Sequence, residues 1–225
     1  MHRKLSLNYL LFLSFFFSIN ATAQNTPVGS YTNLYAEYHF DSAWSLFADP
    51  EVRALSIYNR FYYYELKGGV TYTFNKFLAV SLGAGSYHIF QEGPEFENYH
   101  KSKDFRIWEQ VKMKQPLSFL VLEHRIRIEE ILNKNFDINA RYRLLVKIPL
   151  NKRKLTTKTF YTAVYDEVFF NSVIPHFSRN RMFAGFGYNF SKTTTVEGGW
   201  IYQSDYSKIF TRNKNYLYTS LGFNF

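Results

Sequence analysis

Between Leu120 and Glu129, Leu120, Leu122, Ile126 and Ile128 alternate with Glu123, Arg125, Arg127 and Glu129. A period of two places successive side chains on opposite faces of an extended backbone, so this segment is a strand with one apolar and one charged face. The pattern recurs. Phe136 to Ile148 sets Ile138, Ala140, Tyr142, Leu144, Val146 and Ile148 against Asn139, Arg141, Arg143 and Lys147. From Tyr62 to Phe74, Leu66, Val70, Tyr72 and Phe74 oppose Glu65, Lys67, Thr71 and Thr73, and Asn75 with Lys76 then forms a tight turn. Leu34, Ala36, Tyr38 and Phe40 share a face near the start, and Leu46, Ala48 and Val52 oppose Asp49, Glu51 and Arg53 in the next segment. Eleven strands are visible in this way, the last running from Asn215 to Phe225.

A face so rich in charge does not pack into an oily core, whereas a barrel can turn it toward a lumen and turn the apolar face toward lipid. The aromatic content agrees: 24 Phe, 19 Tyr and 3 Trp sit in a chain whose mean hydropathy is slightly below zero. A helical membrane protein would be far more hydrophobic, while barrel strands keep a modest average and carry aromatic girdles at both interfaces. The expected fold is therefore all-β, a single antiparallel transmembrane β-barrel of about 10–12 strands.

The N-terminus points to export. Arg3 and Lys4 precede an apolar stretch from Leu5 to Ile19, followed by Ala21, Thr22 and Ala23, which reads as a cleavable signal peptide over 1–23 and leaves a barrel domain over 24–225. Asn8 interrupts the apolar run, which is short for a spanning helix. The absence of cysteine excludes a disulfide framework, a thiolate metal site and an N-terminal lipid-modified cysteine. A net charge of +9 suits anionic lipid head groups, and an exported chain has no expected nucleic-acid partner.

Short turns at 41–43, 75–76, 115–116 and 191–193 alternate with longer links at 54–61, 91–103, 172–180 and 205–214. In a membrane barrel this asymmetry predicts a periplasmic end and an outer end. Two details resist it. An odd strand number is unusual for bacterial single-chain barrels, so either a strand is missed or Gln24 to Thr32 threads the lumen. Strict alternation also turns Glu109 outward beside Val111, which a bulge near Trp108 would repair. At the C-terminus Leu217, Thr219, Leu221, Phe223 and Phe225 alternate up to a terminal aromatic, resembling the closing-strand signal read by the outer-membrane barrel assembly machinery.

The ordered landmarks DPEVR (49–53), HRIRIEE (124–130), ARYRL (140–144), YDEVFFN (165–171) and NRMFAGFGYNF (180–190) resemble an uncharacterised bacterial family of outer-membrane barrels catalogued as a domain of unknown function. The resemblance implies a barrel in the cell outer membrane, in contact with outer-membrane lipid and lipopolysaccharide, and implies no activity.

The residues on the inner face are the candidate site: Glu51, Arg53, Glu65, Lys67, Arg106, Glu123, Arg125, Arg127, Glu129, Arg141, Arg143 and Glu167. Charges of both signs either neutralise one another and fill a small lumen or line a narrow pore whose arginine excess favours anions. The main expectation is accordingly a structural barrel or a narrow pore. An outer-membrane enzyme acting on lipid or lipopolysaccharide is the alternative, and a soluble periplasmic ligand-binding β domain is the third reading. No catalytic set is apparent: His124 faces outward between Leu122 and Ile126, but Ile126 stands where a hydrolase would need serine. His100 near Glu95, Glu97 and Asp104 fits no metal spacing, and no cofactor is implied. The glycine pairs Gly83 with Gly85 and Gly185 with Gly187 suit close packing rather than phosphate binding. Arg179, Arg181, Lys208, Arg212 and Lys214 are expected near the long-loop end, within reach of lipopolysaccharide phosphates.

Overall fold

The computed structural model describes residues 27–90, 100–132 and 136–225, so the expected leader and most of the link 91–103 lie outside the described residues. The strands are β1 (Val28–His39), β2 (Trp44–Ala48), β3 (Glu51–Ser56), β4 (Asn59–Asn75), β5 (Leu78–Phe90) and β6 (His100–Pro116). They continue as β7 (Val121–Leu132), β8 (Asp137–Pro149), β9 (Thr159–Asn171), β10 (Phe177–Asn189), β11 (Thr194–Tyr206) and β12 (Thr211–Asn224).

Neighbours in sequence are neighbours in the sheet, and β1 pairs with β12 to close it. Both β2 and β3 lie between β1 and β4 and form one barrel strand, interrupted at Asp49–Pro50, where proline has no N–H to give the ladder. Backbone bonds bridge the interruption: Leu34 N–H donates to the Pro50 carbonyl (3.0 Å) and Asp49 N–H to that of Lys67 (2.8 Å). The result is a closed 11-strand barrel.

Every sheet contact is antiparallel except the seam, where β1 runs parallel to β12 from Val28 opposite Asn215 to Glu37 opposite Asn224. An odd number of hairpin-connected strands brings the first and last together in the same direction. This answers the strand-count puzzle, because Val28 to Thr32 belongs to the wall and does not thread the lumen, and among the described residues the ring closes with eleven strands. Phe225 extends the seam: its N–H donates to the Glu37 carbonyl and its carbonyl accepts from His39 N–H, both at 2.8 Å.

Among the described links the expected contrast between short turns and long ones is not found. The strands run further than the alternation suggested, leaving 57–58, 172–176 and 207–210 at one end, against 40–43, 76–77, 117–120, 150–158 and 190–193 at the other. Link length therefore does not orient the barrel. Short polar side chains shape the turns instead. Asp41 accepts from Ala43 and Trp44 N–H (2.7 and 2.6 Å), and Asn75 accepts from Phe77 and Leu78 N–H (2.8 and 3.1 Å).

The expected bulge at Trp108 is also absent. β6 keeps register with β5 and β7 through this point, so Trp108 is buried inside and Glu109 lies exposed on the outer face between Leu82 and Ile128. The bulges fall elsewhere, at Arg53/Ala54, Thr73/Asn75, Ile89/Phe90 and Phe177/Arg179, close to strand ends.

The outer surface is apolar, with Leu66 59%, Leu82 52% and Phe186 67% exposed. Aromatic rings gather toward both ends. Trp44–Tyr72, Tyr72–Phe74, Phe160–Tyr188 and Tyr188–Phe190 lie 4.3–4.9 Å apart at the end carrying Phe225, and Phe170–Phe177 and Phe177–Tyr206 lie 5.7 and 4.9 Å apart at the other. Luminal aromatics use glycine for room. Gly83 stands opposite Trp108 and Gly187 opposite Tyr161, and a Cβ on either would come within 2.2 Å of the facing ring.

Candidate functional site

Alternation brings the inward side chains of all the strands around one cavity of about 600 Å³. Its wall carries every residue of the candidate set: Glu51, Arg53, Glu65, Lys67, Arg106, Glu123, Arg125, Arg127, Glu129, Arg141, Arg143 and Glu167. Asp49, Lys112, Lys147, Arg179, Arg181, Glu197 and Asp205 complete the charged lining.

Strand register sets like charges against one another. Glu51 stands opposite Glu65 on β3 and β4, while Arg125 faces Arg143 and Arg127 faces Arg141 on β7 and β8. Directly opposed like charges are destabilising, so each group requires a counter-charge from elsewhere. On the acidic side Lys67 supplies it, bonding to Glu65 and lying 3.1 Å from Asp49 and 3.6 Å from Glu51. Arg53 adds a second cation, with its Nε donating to Glu51 (2.7 Å) and its guanidinium stacked 4.4 Å from the Tyr31 ring and 4.2 Å from that of Tyr63.

On the basic side, Glu129 receives Arg141 by a direct bond, Arg106 at 3.3 Å and Arg127 at 3.5 Å. Glu167 binds Arg125 and lies 3.6 Å from Arg181, and Glu123 lies 3.2 Å from Arg143. Several links pass over intervening strands. Arg125 reaches from β7 to Glu167 on β9, and Lys147 on β8 meets Glu197 on β11 at 2.5 Å, where Tyr161 also donates (2.7 Å). The Tyr31 hydroxyl donates to Glu51 (2.6 Å) and accepts from Arg53 and Arg181, both at 3.3 Å, joining β1, β3 and β10. Tyr62 on β4 and Tyr216 on β12 share a 2.6 Å hydroxyl contact.

The charge is unevenly distributed around the wall. On β6, β7 and β8, the lining cations Arg106, Lys112, Arg125, Arg127, Arg141, Arg143 and Lys147 face Glu123 and Glu129, and Asp104 adds a third carboxylate 3.2 Å from Arg106. Around the rest of the lining, Arg53, Lys67, Arg179 and Arg181 meet Asp49, Glu51, Glu65, Glu167, Glu197 and Asp205.

Two arginines expected in an outer loop belong here. Arg179 and Arg181 lie in β10 and point inward, Arg179 to Asp205 (2.5 Å) and Arg181 to the Gln203 amide oxygen (3.0 and 3.1 Å). The alternation Phe177, Arg179, Arg181, Phe183 could have revealed them. Lys208 is in the link 207–210, whereas Arg212 and Lys214 belong to β12 and Lys214 lies 3.7 Å from Asp205. Sequence reasoning also passed over Gln110 and Trp108. The Gln110 amide oxygen accepts from Arg127 Nε and Nη2 (3.0 and 2.7 Å), and the guanidinium lies 3.8 Å from the Trp108 ring centre.

His39, His88, His124 and His176 lie outside this network. His124 bonds to the Tyr142 hydroxyl (2.8 Å) on the outer face, and His88 stacks on Tyr64 at 4.4 Å. His39 is exposed at the end of β1, beyond the cavity lining. Among the described residues no group of three or more His, Cys, Asp or Glu is placed to hold a metal. Glu95 and Glu97 lie outside the described residues.

An apolar exterior, aromatic ends and an ion-paired interior define an outer-membrane-type β-barrel. The chain belongs to a family described as a protein of unknown function (DUF2490), whose model matches residues 28–214. Among solved structures it is similar to LpxR from Salmonella typhimurium, at 9% identity over 85% of this chain and 87% of that one, with a TM-score of 0.48. A likeness that distant carries no information about chemistry. No curated protein sequence matches the chain.

Proposed function

We propose that the chain is exported through the leader at 1–23 and resides in the outer membrane as a structural barrel whose lumen is closed to the passage of hydrated solutes by paired charges. The observation that carries this reading is the inversion of polarity. A water-soluble β-barrel turns its apolar residues inward, but here the outward positions hold Leu66, Leu82, Ile126, Ile128 and Phe186, and the inward positions hold arginine, lysine and glutamate. Charges taken from water persist only when paired, and the pairs spanning β7 to β9 and β8 to β11 obstruct the lumen. The outer partners of this reading are lipid and lipopolysaccharide. The assembly machinery would read the closing strand that ends at Phe225, whose backbone completes the seam.

The test is fractionation of cells with unheated and heated electrophoresis of the membrane fraction, followed by reconstitution in planar bilayers. The expected result is recovery in the outer membrane, a heat-dependent mobility shift and traces without stable open-channel steps. Recovery as a soluble periplasmic protein would overturn the membrane reading, and sustained porin-sized conductance would overturn the closed lumen.

A further inference from the structure

The wall formed by β6, β7 and β8 holds more positive charge than its own carboxylates can offset. Arg125, Arg127, Arg141 and Arg143 occupy two directly opposed pairs. Opposed positions on neighbouring strands put Cβ atoms about 5 Å apart. Positions two residues on along a strand are about 7 Å away. Four guanidinium groups thus project from the corners of a small rectangle into the cavity, with Arg106 and Lys112 beside them on β6. The carboxylates within direct reach of the four arginines are Glu123, Glu129 and Glu167, and Glu167 is shared with Arg181.

Arg127 is the least neutralised. Its side chain is 4% exposed, and its Nε and Nη2 are both spent on the uncharged amide of Gln110. Its Nη1 has no hydrogen-bond partner in the protein and lies 3.5 Å from Glu129. Trp108 stacks against the group and fixes its plane. Nε of Arg106, Arg125, Arg141 and Arg143 likewise have no protein acceptor. A buried donor without an acceptor is costly, and a buried cation without a counter-charge more so. These arginines are held in position by an amide, an indole and shared carboxylates, and their charge is only partly offset.

We propose that this wall binds a phosphate group, as the free ion or as a phosphomonoester. A phosphate brings close to two negative charges and several acceptor oxygens to one point, which suits several guanidinium forks at once. Small rotations of Arg125, Arg141 and Arg143, whose Nη2 atoms keep their glutamate bonds, present their unused Nε donors to it beside Nη1 of Arg127. The site belongs to the lumen and does not depend on where the barrel resides, so it can fail or hold separately from the membrane reading.

The test uses the full chain folded in detergent, titrated with inorganic phosphate at constant ionic strength against chloride and read by calorimetry and phosphorus NMR line width. Saturable binding is expected. Gln110→Glu places a carboxylate on the Arg127 fork at nearly unchanged volume, and it is expected to weaken phosphate binding roughly tenfold while preserving the heat-dependent gel shift. Competition by glycerol 1-phosphate would assign the site to phosphomonoester head groups, and its failure to compete would assign it to the free ion. No binding by the unaltered chain, an equal response to chloride, or unchanged affinity in folded Gln110→Glu protein would overturn the proposal.

Discussion

Arg106, Arg127 and Arg141 reach Glu129 from β6, β7 and β8, and the carboxylate is 2% exposed. Neutralising it leaves Arg127 and Arg141 without a carboxylate partner and Arg106 with Asp104 alone. Glu129→Gln is therefore expected to lower stability by about 3 kcal/mol or more, because breaking a buried ion pair leaves its partners uncompensated. Lys192→Gln, on an exposed turn, should stay within about 0.5 kcal/mol of the parent. Urea transitions of the two variants in the same detergent measure the difference, and equal midpoints would show that the lumen tolerates the loss. Alternation assigned faces to these residues but could not assign partners. That Arg125 reaches past β8 to Glu167 depends on barrel curvature, which no local pattern encodes. The outward Glu109 shows the reverse limit, since the strand keeps its register and accommodates a polar residue without the bulge that alternation called for.

At the level of the strand, the close approach of Trp108 to β5 rests on Gly83. The indole is held between Phe47, at 5.5 Å, and the Arg127 guanidinium, at 3.8 Å, so it has little freedom to retreat from a new methyl group. Gly83→Ala is expected to destabilise by about 1–3 kcal/mol, the usual range for overpacking. Gly222→Ala, whose Cβ would meet only Thr195 atoms at 3.7 and 3.8 Å, should be neutral or slightly stabilising. Combining Gly83→Ala with Trp108→Leu should recover part of the loss, and strict additivity in that cycle would refute the steric account. Strands were legible wherever an apolar residue stood at every second position. Their ends were not: at Phe177–Asn180 and Lys101–Asp104 the polar residues that continue the ladders read equally well as loop. Hydrogen-bonded pairing outlasts the apolar band, and the pattern records only the band.

For the whole molecule, an odd strand number was visible in the sequence, but its consequence lay in a pairing between the two ends of the barrel sequence. Parallel closure follows from the count together with ring closure, and only the second needs three dimensions. Because the chain has no cysteine, single reporters can be placed cleanly. Lys192 and Lys208 sit in links at opposite ends of the barrel, both exposed. With a membrane-impermeant maleimide on intact cells, one of Lys192→Cys and Lys208→Cys should label, and the other only after permeabilisation. Equal labelling of both would rule out a spanning barrel. The lopsided wall has a further meaning for anything small that enters. With cations concentrated on β6–β8 and carboxylates prevailing around the rest, the lumen resembles a condenser whose plates stand side by side, its field directed across the axis. A zwitterion inside would be turned crosswise, its anionic end toward the arginines. A voltage along the axis would do little work on that orientation, so the alignment would come from the protein's own side chains.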